Sequence, residues 1–200
     1  MGDAMYYPIN LKIDDIKVVI IGGGKVSYRK CMNFLAFRKK VVVVSEEFIQ
    51  EFENVKDEIE IIKDSYNEKY IEDAFVVVAA TNNKDVNHQI GTYCREHGKL
   101  VNVVDDGELS NFTVPSFVKR GDLLLSVSTG GKSPSLSAKI RKDLEEVYEE
   151  GYEEYVNLLG EARQKIINNT ENIEKRKKKL KELLNLSFED LKRITRDTMV

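Results

Sequence analysis

Residues 18–30, VVIIGGGKVSYRK, constrain this chain more than any other stretch. Four β-favouring apolar residues, Val18 to Ile21, run straight into Gly22, Gly23 and Gly24, and a helix-compatible segment follows. That order is the strand, tight turn and helix start of a dinucleotide-binding βαβ unit. Gly22 can make the turn, and Gly24 has no Cβ to hold the backbone away from a pyrophosphate. Ser27, the third small position, still allows close helix–strand packing. The N–H groups at the helix start then present the positive end of the helix dipole to an anion. A glycine-rich match alone is a weak signal, since a purely structural turn has the same composition. The flank strengthens it: a second apolar run, Val41 to Val44, ends about twenty residues on, where the ribose-reading position of such a unit belongs.

At 200 residues the chain has room for one domain with an appendage or for two small domains. A 42% apolar fraction supplies a core, and 32% charged residues predict a well-solvated surface. No apolar run approaches the roughly 20 residues of a membrane span. The N-terminal MGDAMYYPIN lacks the basic-then-apolar layout of a signal peptide, and Tyr6 stands where a myristoylation signal wants Ser or Thr. Cys31 and Cys94 are far apart, without metal-ligand spacing, and read as reduced, buried thiols. The expected location is the cytoplasm.

A net charge of −3 gives no global attraction to nucleic acid. The basic block at 175–179 has no interleaved aromatic residue to stack bases and reads as a solvated helix face. Neither a nucleic acid nor a membrane is an expected partner. His88 and His97 are the only histidines, and with no Cys/His cluster around them no resident metal site is expected.

Strand and helix patterns alternate through the first half. Strands are predicted over 16–21, 41–44, 59–63, 74–80 and 100–104. Helices are predicted over 27–38, 48–55 (short) and 83–97, with one helical turn at 68–71. Near-continuous apolar strands joined by helices predict an α/β fold with a doubly wound parallel sheet. After Asp105 the pattern changes. Segments 111–119 and 123–129 look like antiparallel strands around Arg120-Gly121-Asp122, and a second flexible turn, Gly130-Gly131-Lys132-Ser133-Pro134, follows. From Ser135 an apolar stripe at helical spacing (Leu136, Ile140, Leu144, Val147, Tyr148, Tyr155, Leu159, Ala162, Ile166) needs a cover, for which a partner subunit is a candidate. Two short amphipathic helices close the chain; Asn169 or Thr170 could cap the first, and Ser187 with Asp190 resembles a capping box for the second.

The residues Asn102-Val103-Val104-Asp105 put a carboxylate at the C-terminal end of a predicted parallel strand, where open α/β sheets bind ligands. There it can act as a general base or steer a substrate cation; the alternative is a turn or cap residue. Asp106 and Glu108 beside it are either helpers or solvated.

The segments at 6–30 (YYPINLKIDDIKVVIIGGGKVSYRK), 79–83 (AATNN), 102–106 (NVVDD) and 112–137 (FTVPSFVKRGDLLLSVSTGGKSPSLS) resemble, in that order, the precorrin-2 dehydrogenase family. That family includes the dehydrogenase/ferrochelatase portion of siroheme synthases. The resemblance covers residues 6–150, and its second half is the more specific, since VPS…SVSTGGKSP is not a general feature of Rossmann domains. It implies NAD⁺-dependent oxidation of precorrin-2 to sirohydrochlorin, with Fe²⁺ insertion in some members. Carried over position by position, Gly22, Gly23, Gly24, Lys25 and Val26 would hold the pyrophosphate of NAD. Glu46 and Glu47 would meet the adenosine ribose, and Thr81 and Asn82 would line the nicotinamide side. Asp105 would be the proton-transfer carboxylate. Ser116, Ser128, Thr129, Gly130, Lys132 and Ser133 would lie along a tetrapyrrole cleft formed with the dimerisation segment. The acidic pair favours NAD, because a carboxylate accepts the ribose 2′-hydroxyl and repels a 2′-phosphate.

A substrate rich in carboxylates should meet cations, and Arg29, Lys119, Arg120, Lys132, Lys139 and Arg141 stand in the segments expected to frame it; a plain solvated surface is the alternative. The implied organisation is a Rossmann-type NAD-binding domain over 1–111, a dimerisation and substrate-cleft segment over 112–150, and a C-terminal helical region over 151–200, assembled as a homodimer. Two other readings stay open. One is a nucleotide-sensing regulatory module, against which the basic, flexible segment 112–137 argues. The other is chelation alone, which needs no resident metal site, since the tetrapyrrole's own nitrogens hold the iron.

Overall fold

A computed structural model describes residues 5–196. Two compact units divide the described residues: Tyr7–Val114, and those from Pro115 onward together with Met5 and Tyr6.

The first unit is the α/β sheet that the apolar runs predict. Strands β1 (Val18–Ile21), β2 (Val42–Val44), β3 (Glu60–Ile62), β4 (Val76–Ala79) and β5 (Leu100–Val103) are all parallel, in the order β3-β2-β1-β4-β5. Val19 pairs with Val42 on one side and Val77 on the other, so the centre of the sheet is a valine lattice. Because successive side chains point to opposite faces, both faces are apolar. Val19, Ile21, Val77, Val101 and Val103 pack with Ile90 and Cys94 of helix α2 (Lys84–Glu96). Val18, Ile20, Val43, Val76 and Val78 pack with Cys31 of helix α1 (Lys25–Leu35) and with Phe52. Both cysteines are free and buried, as expected.

Three local expectations change. Helix α1 begins at Lys25, directly after the glycines, and ends at Leu35. The short helix expected over 48–55 is a 3₁₀ helix, Gln50–Val55, whose Phe52 and Val55 are buried. Residues 111–115 are not strand: Asn111 bonds back to the free edge of β5 through its N–H to the Val101 carbonyl (3.0 Å) and its side-chain Oδ1 to the Val101 N–H (2.8 Å). Pro115 then has no N–H for a ladder.

In the second unit β6 (Ser116–Arg120) and β7 (Leu123–Val127) form an antiparallel hairpin across Gly121-Asp122, with Gly121 at φ +55°. Four helices follow: α3 (Pro134–Val147), α4 (Tyr152–Asn169), α5 (Ile173–Leu183) and α6 (Phe188–Arg196). The apolar stripe of 136–166 is therefore two helices, broken at 148–151. Its α4 half is covered within the chain, because Tyr155, Leu159, Ala162 and Ile166 pack with Leu180, Leu183 and Leu191. The α3 half leaves Leu136 and Val147 exposed. Asn172, not Asn169 or Thr170, caps α5, accepting from the Lys175 N–H at 2.9 Å. The Ser187–Asp190 capping box is present, with the Asp190 N–H donating to Ser187 Oγ at 3.1 Å. Among the described residues no helix is long and apolar enough to cross a membrane.

Candidate functional site

The three glycines do three different jobs. Gly22 has φ +123°, and a Cβ there would lie 2.2 Å from the Ala80 carbonyl oxygen, so the turn after β1 passes directly over the end of β4. A Cβ on Gly23 would lie 2.0 Å from the Glu47 carbonyl oxygen. That contact, with the Ile49 N–H donating to the Gly23 carbonyl at 2.9 Å, draws the segment after β2 against the glycine turn. Around Gly24 there is open space to 4 Å. Gly24 is the N-cap of α1 and offers no side-chain cap, so the first-turn N–H groups of that helix keep their capacity to bind an anion. Ser27 is fully buried and its hydroxyl donates to the Gly24 carbonyl at 2.7 Å, which fixes the helix start.

A cleft of about 870 Å³, the size of a small-molecule or cofactor site, opens at the C-terminal ends of the strands. Its lining comes from the residues that follow β1, β2, β3 and β4: Gly22–Gly24, Ser45 with Glu46 and Glu47, Asp64 to Tyr66, and Thr81 to Asn83. This is the place where sheets of this strand order bind ligands, beside the switch point between β1 and β4. The cradle fits an extended dinucleotide: an open glycine and a bare helix terminus for phosphates in the middle, carboxylates on one side, and amide and hydroxyl groups on the other. Lys25 and Val26 are exposed and do not line the cleft; what they place beside Gly24 is the backbone of the helix start.

The acidic side of the cleft has a third member that sequence reasoning missed. Asp64, just past β3, accepts from the Tyr70 hydroxyl and from the Ser65 N–H (2.8 Å), with Lys69 Nζ at 3.7 Å. These donors, the tyrosine first, hold its carboxyl below the usual carboxylate range. Glu46, Glu47 and Asp64 thus give this end of the cleft three carboxylates.

On the other side, Asp105 does not line the cleft itself; it is exposed in the turn after β5 and is joined to the cleft's rim by one buried side chain. Asn87 of α2 is fully buried. Its Oδ1 accepts from the Thr81 N–H (3.0 Å) and the Thr81 hydroxyl (2.7 Å). Its Nδ2 donates to the Thr81 carbonyl (3.1 Å) and to Asp105 Oδ1 (3.1 Å). Asp106 is occupied differently: its carboxylate accepts from the N–H groups of Glu108 (2.9 Å) and Leu109 (3.1 Å), an Asx turn that shapes the loop. Ser110 pins the same loop to β5, its Oγ accepting from the Val103 N–H at 2.9 Å.

In the second unit, the structure brings Ser116, Ser128, Thr129, Gly130, Lys132 and Ser133 to one end of the hairpin, where Ser116 pairs across from Val127. Several of these side chains have local work there. Ser133 caps α3 by accepting from the Leu136 N–H (3.3 Å), Thr129 Oγ1 accepts from the Ser133 N–H (3.0 Å), and Ser128 Oγ accepts from the Gly130 N–H (3.2 Å). Of the six cations, Arg120 pairs with Glu150 (3.4 Å) and Arg141 with Glu145. His88 and His97 are exposed, and His97 stacks on Tyr93. Among the described residues no group of His, Cys, Asp and Glu side chains could hold a metal ion.

Comparison with known proteins places both units. The sequence model of the family described as putative NAD(P)-binding matches residues 9–116, and that described as sirohaem biosynthesis protein, central, matches residues 120–146. The siroheme synthase of Pseudoalteromonas translucida is 31% identical over 163 residues, which are 80% of this chain and 34% of that protein. That of Psychromonas ingrahamii is 35% identical over 142 residues, 70% of this chain and 30% of that protein. The chain therefore spans about a third of the length of the curated relatives it matches. Among solved structures, SirC, a precorrin-2 dehydrogenase, superposes with a TM-score of 0.76 at 26% identity, covering 96% of this chain and 98% of that one.

Proposed function

The chain belongs to the siroheme-biosynthesis family of NAD(P)-binding proteins, and we propose on that premise that it oxidises precorrin-2 to sirohydrochlorin with NAD⁺. The observation that carries the reading is the pairing of a bare helix terminus beneath an open glycine with a carboxylate turn bound to the rim of the same cleft. A nucleotide sensor needs the first of these and not the second.

Two hydrogens leave the tetrapyrrole in this reaction, one as hydride and one as a proton. NAD⁺, when bound, accepts the hydride from the substrate carbon. The N–H groups of Gly24, Lys25 and Val26 at the start of α1 bind its pyrophosphate, where the helix dipole adds to their pull. Glu46 and Glu47 accept hydrogen bonds from the adenosine ribose, and the carboxylates at that end repel the extra phosphate of NADP⁺. Thr81 and Asn82 line the nicotinamide end. Asp105 takes the proton, the task of a general base within hydrogen-bond reach of the substrate. Ser116, Ser128, Thr129, Gly130, Lys132 and Ser133 are the proposed substrate-binding residues, with Lys132 meeting a substrate carboxylate. Active assembly is a homodimer, supported by the exposed Leu136 and Val147 of α3.

The test is direct. Purified protein given precorrin-2 and NAD⁺ should form NADH and sirohydrochlorin in equal amounts. NAD binding without NADH formation would leave the sensor reading standing; siroheme formation from sirohydrochlorin and Fe²⁺ without any dehydrogenation would leave chelation alone.

A further inference from the structure

Asn87 is an anomaly on its helix. The buried face of α2 carries Asn87, Ile90, Gly91 and Cys94, at the three- and four-residue spacing of a core stripe. At the first of these positions the chain spends a buried amide where an aliphatic side chain would add packing. A buried polar group without partners costs free energy, so it persists when fully bonded. Asn87 is fully bonded: both acceptor sites of Oδ1 and both hydrogens of Nδ2 are used.

The direction of those bonds is dictated by the backbone. The Thr81 N–H can only donate and the Thr81 carbonyl can only accept, so Oδ1 must face the first and Nδ2 the second. The remaining Nδ2 hydrogen is thereby aimed at Asp105 Oδ1, across 18 positions of sequence. Gly91, one turn further along the same face, makes the reach possible. A Cβ there would lie 3.0 Å from Val103 Cγ2 and 3.1 Å from Leu109 Cδ1, so α2 rests tightly on the end of β5 and on the loop that carries Asp105.

We infer that Asn87 is a positioning residue for the dehydrogenation, clamping the Thr81 loop of the cofactor cleft and the Asp105 carboxylate in one fixed relation; the inference rests on the function proposed above. Asn87 does not line the cleft. It engages one oxygen of Asp105, which leaves the other to take a proton. It also sets where that oxygen stands relative to the loop at the nicotinamide end. A base and a hydride acceptor must address the same substrate together, and misplacement by about 1 Å can cost about 10²-fold in rate.

The experiment uses the full chain, with Asn87→Ala and Asn87→Asp. The aspartate variant keeps the size and both bonds accepted from Thr81 but replaces the Nδ2 donor to the Thr81 carbonyl and to Asp105 by a carboxylate oxygen, so it breaks the clamp without opening a cavity. Two readouts are taken: kcat with precorrin-2, and NAD⁺ affinity by calorimetry without substrate. We expect kcat to fall about tenfold or more in both variants, NAD⁺ affinity to stay within about threefold, and Asn87→Ala to have little further effect on rate when Asp105→Ala is already present. A kcat equal to wild type in Asn87→Asp overturns the inference. So does a rate loss matched by loss of NAD⁺ affinity, or one that multiplies undiminished on the Asp105→Ala background, since either marks a merely structural side chain. Absence of turnover by the wild-type protein overturns the proposed function instead, a result distinguishable from all of these.

Discussion

Gly23 and Glu47 are in backbone contact: a methyl group on the first would stand 2.0 Å from the carbonyl oxygen of the second. This contact joins the glycine turn to the segment carrying Glu46 and Glu47, so the proposed phosphate and ribose ends of the cleft share one piece of packing. Gly24, one residue on, faces nothing within 4 Å. Adjacent glycines in a GGG run thus stand in opposite surroundings, one packed by the fold and one left open in the proposed cofactor site.

Substitution separates those reasons. Gly23→Ala should destabilise the protein by about 1–3 kcal/mol, the usual cost of overpacking, seen as a lower midpoint in denaturant unfolding. Gly24→Asp should fold as well as wild type, because aspartate is a favoured N-cap, yet abolish NAD binding by placing a carboxylate where the pyrophosphate belongs. Unchanged NAD affinity in Gly24→Asp, measured by calorimetry, would remove the turn from the binding site.

Cofactor choice follows from the acidic end of the cleft. With Glu46, Glu47 and an Asp64 held ionised by Tyr70 and Ser65, NAD⁺ should outperform NADP⁺ in kcat/KM by about tenfold or more, since juxtaposed like charges cost several kcal/mol. Asp64→Asn should narrow that ratio mainly by improving NADP⁺. Equal use of both cofactors by wild type would contradict the placement of the ribose.

The sheet was legible because its strands are buried on both faces and so read as unbroken apolar runs; the glycine turn was legible because a Cβ has no room at Gly22 or Gly23. Other features depend on contacts that a linear pattern does not display. Asp64 follows a three-residue strand, and its Tyr70 partner lies in the next segment. The break at 148–151 was hidden by a stripe whose spacing continues across it, and only the return of α5 and α6 shows what covers α4. Asn87 carried a usable signal, an amide in register with Ile90 and Cys94, but its partner Asp105 lies beyond the rest of its own helix and a strand. The hydroxyls at 128, 129 and 133 look alike in sequence, whereas in the fold each is tied to a nearby N–H.

The two cysteines give a prediction independent of function. Burial pushes both thiols from an ordinary value of 9.0 up to about 11. The thiolate is the reactive form, so native protein at pH 8 should react with a disulfide reagent far more slowly than the same protein in denaturant. The sign for stability follows from linkage: between pH 9 and about 11 the unfolded chain loses thiol protons that the folded chain keeps. Stability should therefore be fully present below pH 9 and decline as pH rises through that window. Prompt labelling of either thiol in the native state would contradict the burial.

The most direct measurement is turnover of precorrin-2 by Asp105→Ala, with NAD⁺ affinity measured on the same preparation. A positioned general base is commonly worth about 10²–10⁴-fold. The predicted result is a rate at least about a hundredfold below wild type, with NAD⁺ binding nearly unchanged, because Asp105 stands outside the lining of the cleft and reaches it only through Asn87. Turnover near the wild-type rate would contradict it, and would leave Asp105 as a turn residue of β5.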